Sequence, residues 1–359
     1  MFLTYQEASR TMNAKENFDI NQVIGYDALY DSMLKCKNNT LRKTSVSSFY
    51  LNAPEKIYNL NQDLENRTYQ AKPPIKFQIL SPKPRDISSI IFRDRVYQRS
   101  LNDNAVYSMM TKSFIYDNYA CQKGKGTDKA RERFEEYLHK FYRKHGTDGY
   151  ILQLDIKGYY PNMRHDICEK IFQDKLPKDI FDKVQTILHE QYAGDKGYDA
   201  GSQLVQIAGI SVLDKMDHYI KEKLHIKYYL RYMDDFLLVH KDKDYLADCL
   251  NKIKVFLEDY NYTLNPNKSD IYSVTKGVTF LGFTFKLSKT GKVLKLMTSR
   301  NVKLQRKKLR SLVNRCKNKL MTREQVDDSY NTWRSHVSKG NTHKVICRMD
   351  KYYNSLWKE

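Results

Sequence analysis

The stretch KYYLRYMDDFLLVH, from Lys227 to His240, decides the fold of this chain. Two runs of apolar and aromatic residues flank Met233, Asp234 and Asp235, a pattern typical of two antiparallel strands joined by a tight turn. An earlier apolar run, YILQLDI, predicts a buried strand with Asp155 near its end. An Asp-Asp dipeptide alone is an ordinary turn sequence. The meaning of these carboxylates therefore depends on their surroundings.

Those surroundings favour a metal site. A carboxylate at the end of an apolar strand is costly unless it is paired or bound to a metal, and the adjacent Asp234 and Asp235 also repel each other. A divalent cation relieves both problems, and hard oxygen ligands favour Mg²⁺. Two such ions can activate a 3′-hydroxyl and stabilise the oxygen of a leaving pyrophosphate. We therefore expect Asp155, Asp234 and Asp235 to form a catalytic acidic cluster.

Charge and composition indicate the partner. The 359 residues carry a net charge of +20, which implies a polyanion, either nucleic acid or an anionic membrane surface. From Lys286 to Glu359 there are 20 Lys and Arg against 5 Asp and Glu, so most of the excess lies in the last fifth of the chain. No apolar run approaches membrane-spanning length, and the six cysteines are scattered without zinc spacing. We expect a cytoplasmic protein that binds nucleic acid rather than a membrane.

The order of predicted elements indicates an α+β fold. A helical region comes first, with a short strand near residues 75–80. A mixed core follows, in which strands alternate with helices over residues 150–285, and a basic helical tail ends the chain. This order predicts an antiparallel sheet with helices on one face.

Two stretches around the carboxylates resemble the catalytic motifs of reverse transcriptases. YMDD, from Tyr232 to Asp235, is similar to their motif C, and LDIKGYYPNM, which contains Asp155, is similar to motif A of the prokaryotic enzymes. The resemblance implies that Asp155 and Asp234 bind two Mg²⁺ ions, for which Mn²⁺ can substitute. It also implies that Asp235 completes the cluster and that the carbonyl of Ile156 reaches a metal.

The same resemblance suggests nucleotide contacts. Arg85 matches the arginine that clamps the incoming triphosphate, with Lys83 as a second candidate, and arginine suits bidentate phosphate contacts. Tyr160 matches the aromatic steric gate that excludes a 2′-hydroxyl, although core packing is the alternative. Gly201 lies in motif B. Lys268 in the sequence NPNK resembles the motif D lysine that protonates pyrophosphate, with an ordinary turn lysine as the alternative.

Further positions resemble nucleic-acid contacts. Arg93 and Arg95 suit the template backbone, with internal salt bridges as the alternative. Lys125 belongs to a glycine-rich YACQKGKGT element, and Gln206 ends motif B. The sequence FLGF, with Phe280, Leu281 and Gly282, resembles the primer grip of motif E. The basic tail beyond it suits a helical thumb that follows the duplex backbone.

The resemblance predicts a right-hand polymerase with fingers, an RRM-like palm and a helical thumb. We expect N-terminal helices and fingers over residues 1–149, the palm with part of the fingers over 150–285, and the thumb over 286–359. The predicted activity is RNA-directed DNA synthesis, with dNTPs as substrates. The template is RNA, and a structured non-coding RNA is one candidate. An accessory protein or a second copy of the chain is a further potential partner.

Motif B leaves the biological role open. Most reverse transcriptases carry QGxxxSP here, whereas enzymes of diversity-generating retroelements carry a GxxxSQ pattern after an aliphatic residue. This chain has AGSQLVQ, from Ala200 to Gln206, with Val205 in place of serine. That departure favours a bacterial antiphage-defence enzyme over a diversity-generating one. A group II intron enzyme is less favoured, because no residues follow the predicted thumb to form a DNA-binding or endonuclease domain. A non-catalytic RNA-binding module remains the alternative of another class, but the intact Asp155, Asp234, Asp235 and Arg85 argue against it.

Overall fold

The computed structural model describes residues 18–79 and 84–358, so Lys83 lies outside the described residues. The chain divides into two compact units built from interleaved segments. The first unit contains the residues up to Lys123, Ile156–Tyr219 and Val255–Thr263. The second contains Gly124–Asp155, Ile220–Lys254 and the residues from Leu264 onward. The expected boundaries at residues 150 and 286 remain predictions.

The first unit is mainly helical. Leu29, Met33, Ile57 and Val96 are fully buried, because the apolar residues of its helices recur at intervals of three and four positions. The helices of this unit are α1 (Asn21–Ile24), α2 (Tyr26–Lys37), α3 (Thr44–Leu51), α4 (Ala53–Glu65), α5 (Phe92–Leu101), α6 (Tyr107–Met110), α8 (His165–Lys175), α9 (Lys178–Gln191), α10 (Gln203–Val212) and α11 (Asp214–His218). Helix α2 packs against α4 and α5, and α10 packs against α8.

The strands of the first unit form a two-stranded antiparallel hairpin. Strand β1 (Ile75–Ile79) pairs with β2 (Arg85–Ser89), with Phe77 opposite Ile87. All five residues of β1 are exposed, whereas Ser88 of β2 is buried. The hairpin is therefore attached to the rest of its unit through β2.

The second unit contains a four-stranded antiparallel sheet in the order β4-β5-β3-β6. These strands are β3 (Tyr150–Asp155), β4 (Tyr228–Tyr232), β5 (Asp235–His240) and β6 (Asp270–Ser273). Helix α7 (Thr127–His145) packs against β4 and β5, and buries Phe134, Leu138 and Phe141. β3 lies between β5 and β6, and its Ile151, Leu152 and Leu154 are fully buried.

A smaller antiparallel sheet and three further helices complete the second unit. The sheet contains β7 (Val278–Phe280), β8 (Phe283–Leu287) and β9 (Val293–Met297). The helices that follow are α13 (Ser299–Lys317), α14 (Arg323–Val337) and α15 (His343–Ser355), and α13 packs against α14. Helix α12 (Lys243–Glu258) contributes residues to both units.

The α+β class with an antiparallel sheet is confirmed, and two local differences stand out. Strand β6 was not predicted, because its four residues, DIYS, are polar and lie at the edge of the sheet. The sequence pattern over residues 206–224 predicts a single helix, but the structure divides this stretch into α10, α11 and a π-helical turn at Tyr219–Lys223. Apolar residues recur through this stretch without a glycine or proline at either break, so the sequence pattern does not indicate where the helix is divided.

None of the described helices combines the length and the apolar character needed to cross a bilayer.

Candidate catalytic site

Two of the three candidate carboxylates lie opposite each other on adjacent strands of the four-stranded sheet in the second unit. Asp155 ends β3 and pairs in register with Asp235, the first residue of β5. Like charges placed directly opposite on neighbouring strands destabilise a sheet. Asp155 is nevertheless only 5% exposed, and Asp234 and Asp235 are partly buried. The fold thus concentrates negative charge at one end of the sheet.

The turn that carries Asp234 is strained. Met233 has a φ of 56°, in the left-handed region that side-chain-bearing residues rarely adopt. Its carbonyl accepts a hydrogen bond of 3.0 Å from Nη1 of Arg231, a residue with no solvent exposure. Such strain persists only where the surrounding structure imposes it, and it is frequent at functional sites. Arg231 therefore helps to hold the turn that presents Asp234.

The acidity of the cluster reflects burial and repulsion. Burial raises the pKa of Asp235 to about 7, and the charges of Asp234 and Asp155 add to this effect. Burial also raises the pKa of Asp234, again with a contribution from Asp155. Both shifts indicate that the cluster lacks sufficient positive charge of its own.

The ammonium group of Lys268 lies at the cluster. Nζ of Lys268 is 2.6 Å from Oδ1 of Asp155. Burial alone would lower the pKa of Lys268, but its hydrogen bond to Asp155 and the neighbouring carboxylates outweigh burial and raise it. Nδ2 of Asn265 donates a 3.1 Å hydrogen bond to Oδ2 of the same carboxylate. The structure therefore brings together Asp155, Asp234, Asp235 and Lys268, all of which the sequence suggested.

The donor set fits a hard divalent cation. Asp155 and Asp235 at facing strand ends, with Asp234 in the adjoining turn, carry the oxygen donors that Mg²⁺ prefers, and Asp234 and Asp235 have raised pKa values that a cation would reverse. Across residues 18–79 and 84–358, no three His, Cys, Asp or Glu side chains converge as they would around a bound ion. Asp155 is instead engaged by the ammonium group of Lys268. Asp155, Asp234 and Asp235 are the residues that would hold the metal.

The candidate primer-grip turn also lies in the second unit. Leu281 and Gly282 both have positive φ values, 45° and 89°, at the turn between β7 and β8. Nη1 of the buried Arg131 donates a 2.8 Å hydrogen bond to the carbonyl of Leu281, and its guanidinium lies over the ring of Phe283. Arg131 also forms an ion pair with Asp128. A buried arginine on α7 thus fixes the shape of this turn, while the side chain of Phe280 is buried beside it.

In the first unit, the candidate steric gate lies against a glycine of α10. A Cβ atom on Gly209 would be 3.2 Å from both Cε1 and the hydroxyl oxygen of Tyr160. The hydroxyl of the preceding Tyr159 donates a hydrogen bond to the carbonyl of Gly209. Gly209 therefore leaves the space that the Tyr160 ring uses. Ile156 belongs to this unit as well, and its side chain is buried.

Motif B contacts β2, the strand that begins with Arg85. A Cβ atom on Gly201 would lie 2.4 Å from the backbone oxygen of Ser88, a distance that real Cβ atoms do not show. The hydroxyl of Ser88 also donates a hydrogen bond to the carboxylate of Asp199. Glycine at 201 is thus required for the close approach of β2.

Replacing Gly201 with alanine is expected to displace β2 and the arginine at its start. The resemblance to reverse transcriptases implies that Arg85 contacts the triphosphate. We therefore expect the KM for dNTPs to rise about 10- to 100-fold, because small misplacements of a substrate-binding group have effects of this size. Steady-state incorporation assays measure the change. Ala200→Ser, an exposed neighbour, is the control and should leave KM unaltered. An unchanged KM in the Gly201→Ala protein would contradict the role of this contact.

Three candidate nucleic-acid contacts have partners inside the first unit. Arg93 forms an ion pair with Asp63 and lies over the ring of Tyr69, as the internal alternative anticipates. Arg95 lies over the ring of Phe92. Nε2 of Gln206 donates a 2.9 Å hydrogen bond to the carbonyl of Ala200 and so closes the motif B turn. Lys125 lies in the second unit, in the loop before α7.

The sequence did not identify three residues that contact the candidate site residues: Arg131, Gly209 and Asn265. Arg131 and Gly209 contact segments distant in sequence, and Asn265 is the first residue of NPNK, a sequence that indicates no role for it. A glycine inside an apolar helical pattern usually has a packing reason, so the sequence does indicate a close contact at Gly209. Arg131 and Asn265 carry no such indication beyond their residue types.

Helix α13 presents a strongly basic surface. It contains no acidic residue, and its buried face consists of Gln305, Leu309 and Val313. Eight basic residues are exposed around that face: Arg300, Lys303, Arg306, Lys307, Lys308, Arg310, Arg315 and Lys317. Such a surface attracts phosphates and would bind nucleic acid in a salt-dependent manner.

A search of the curated proteins found no match. Among solved structures, apo telomerase from Candida tropicalis is 15% identical, with 63% of this chain and 49% of that chain covered at a TM-score of 0.48. Telomerase from Candida albicans, in complex with the TWJ fragment of telomeric RNA, is 13% identical, with 69% and 51% covered at the same TM-score. The chain thus spans about half the length of these structures.

The family model "Reverse transcriptase (RNA-dependent DNA polymerase)" matches residues 72–285, which is more than half of the 359 residues. The match includes β1 to β7 and the first part of β8, and with them Asp155, Asp234, Asp235 and Lys268. It agrees with the expected α+β polymerase fold. The chain belongs to the reverse transcriptase family.

Proposed function

We propose that this protein is an RNA-directed DNA polymerase that adds dNTPs to a 3′-hydroxyl. The observation that carries the proposal is the acidic cluster in a reverse transcriptase domain, with Asp155 opposite Asp235 on paired strands and Asp234 in the adjoining turn. Bound there, two Mg²⁺ ions would activate the attacking hydroxyl and stabilise the leaving pyrophosphate. Mn²⁺ has similar ligand preferences and would substitute.

Residues of the chain itself perform the other steps of binding and catalysis. Arg85 binds the triphosphate, Tyr160 excludes a ribose 2′-hydroxyl, and Lys268 supplies a proton to the departing pyrophosphate. The turn at Phe280–Gly282, fixed by Arg131, holds the primer end. The exposed basic face of α13 follows the backbone of the template–product duplex. All six cysteines are free, as suits a reducing cytoplasm.

The direct test is DNA synthesis by the purified full chain with Mg²⁺ and dNTPs on a primed RNA template. The expected product is DNA complementary to the template, and dNTPs should be preferred over rNTPs. Sequencing the nucleic acid that copurifies with the protein would identify template, primer and product together. If the chain incorporates no nucleotide with Mg²⁺ or Mn²⁺ on primed RNA, primed DNA or its copurified nucleic acid, the proposal fails.

We further propose a role in bacterial antiphage defence, with a structured non-coding RNA as the template. Val205 in place of the motif B serine supports this role over that of a diversity-generating retroelement. Gly201 and Gln206 match the GxxxSQ pattern of diversity-generating retroelement enzymes, which therefore remain the competing candidate. Expression of the chain with its neighbouring genes should reduce phage plaque formation. A variable-protein gene with a template repeat beside this gene would contradict the defence role.

A further inference from the structure

The carboxylate of Asp155 is held by the turn at residues 265–269. Nδ2 of Asn265 donates to Oδ2 at 3.1 Å, and Nζ of Lys268 approaches Oδ1 at 2.6 Å. The backbone is attached as well, because the amide of Asn265 donates a 2.7 Å hydrogen bond to the carbonyl of Asp155. The amide of Asp155 donates to Oγ of Ser269 at 3.2 Å. This turn therefore contacts Asp155 at its main chain and at both carboxylate oxygens.

The orientation of the Asn265 amide is itself fixed. Its Oδ1 accepts a 3.2 Å hydrogen bond from the backbone amide of Asn267, which leaves Nδ2 directed at Asp155. The backbone amide of Lys268 also donates to the carbonyl of Asn265 at 3.0 Å, closing the turn. An asparagine that bonds the backbone two residues later is a stable local arrangement. Asn265 thus has one side-chain atom anchored and the other on the carboxylate.

The two side chains on the carboxylate differ in their freedom. Asn265 is short and anchored, whereas Lys268 is long, and 55% of its side chain is exposed. A lysine pays more rotamer entropy to stay in one place, so its contact is the more easily exchanged. A cation at Asp155 would compete with the ammonium group of Lys268, but it would leave the Asn265 hydrogen bond intact.

We propose that Asn265 is a positioning residue for the metal: its amide fixes the Asp155 carboxylate in the orientation that receives a divalent cation. Lys268 neutralises the same carboxylate until that cation replaces it. The inference rests on the proposed function, because it assumes that Asp155 is a metal ligand. Hydrogen-bond partners of metal ligands typically contribute about 10- to 100-fold to metal affinity or activity.

The test measures Mn²⁺ binding to the full-length, nucleotide-free chain by electron paramagnetic resonance. Asn265→Leu removes the amide donor at similar size, and Asn265→Ala is a second variant in case leucine impairs folding. Asn267→Leu and Asn267→Ala are the matched controls, because the exposed Asn267 contributes its backbone amide to the turn. Asp155→Asn defines the signal from binding at this site. Thermal unfolding of every variant verifies that it is folded.

We expect the Asn265 variants to bind Mn²⁺ about 10- to 100-fold more weakly than wild type, with the Asn267 variants unchanged. In Mg²⁺-dependent synthesis, the metal concentration for half-maximal rate should rise more than the KM for dNTPs. Folded Asn265 variants that bind Mn²⁺ within about twofold of wild type would overturn the inference.

This outcome is separate from the failure of the proposed function. A chain that makes no DNA, yet binds Mn²⁺ through Asp155 in an Asn265-dependent manner, would retain the positioning role without the polymerase activity. A chain that makes DNA normally, with Asn265 variants that bind Mn²⁺ like wild type, would lose the positioning role alone.

Discussion

Replacing Asp234 and Asp235 with alanine is expected to lower dNTP incorporation by at least about 10³-fold. The two carboxylates belong to the cluster that would hold both metal ions, and metal ions supply several kcal/mol of transition-state stabilisation. Each 1.36 kcal/mol corresponds to a tenfold change in rate. Single-turnover incorporation on a primed RNA template measures the loss. The control is Asp244→Ala, an exposed aspartate in the first turn of α12, which should retain full activity.

The loss should occur without unfolding. Burial and the neighbouring carboxylates raise the pKa of Asp235 to about 7, so ionisation of this group destabilises the folded chain. The cost grows as the pH rises from its unfolded pKa near 4 to about 7, and it is complete above that range. In metal-free buffer at pH 8, Asp235→Asn should therefore raise the Tm by about 2–4 °C, and the gain should vanish near pH 4. If the inactive double variant is also less stable than wild type, misfolding rather than metal loss would explain its inactivity.

Replacing Tyr160 with alanine is expected to reduce discrimination against ribonucleotides by about 10²-fold. If the ring excludes the 2′-hydroxyl by contact, its removal opens space for one extra polar group, and steric selection of this kind contributes about 1–3 kcal/mol. The ratio of kcat/KM for dCTP to that for CTP measures the effect. Tyr160→Phe keeps the ring and should keep most of the discrimination.

The contact with Gly209 provides a second route to the same effect. A Cβ atom there would be 3.2 Å from the Tyr160 ring and must shift it slightly, so Gly209→Ala should relax discrimination less than Tyr160→Ala does. An unchanged ratio in the Tyr160→Ala protein would contradict the steric-gate role and favour core packing.

The parts of the fold that the sequence predicted are those with strong local patterns. The apolar runs around Met233 and before Asp155 predict strands because they are short, contain aromatic and β-branched residues, and adjoin turn sequences. Strand β6 was missed because its four residues carry no such pattern, and they become a strand only by pairing with β3. Tertiary pairing, rather than local preference, produces that element.

The candidate site shows the same contrast between features that a local sequence pattern indicates and features that depend on long-range contacts. Residue types with distinctive chemistry, such as Asp234 and Lys268, could be proposed from the sequence and are close together in the structure. Residues that act through geometry could not. Nothing local to Asn265 indicates that its amide contacts a carboxylate 110 positions earlier, or that Arg93 finds Asp63 rather than a template phosphate.

That separation of 110 positions also bears on synthesis of the protein. Long-range strand pairing is slow because loop-closure entropy must be paid first. At ribosomal rates of about 5–20 residues per second, Asp155 is made roughly 5–20 s before the turn that holds its carboxylate. During that interval β3 lacks the edge partner β6, and its apolar residues are open to wrong pairing. Translation speed between residues 155 and 273 should therefore affect the yield of active protein more than the same change made elsewhere.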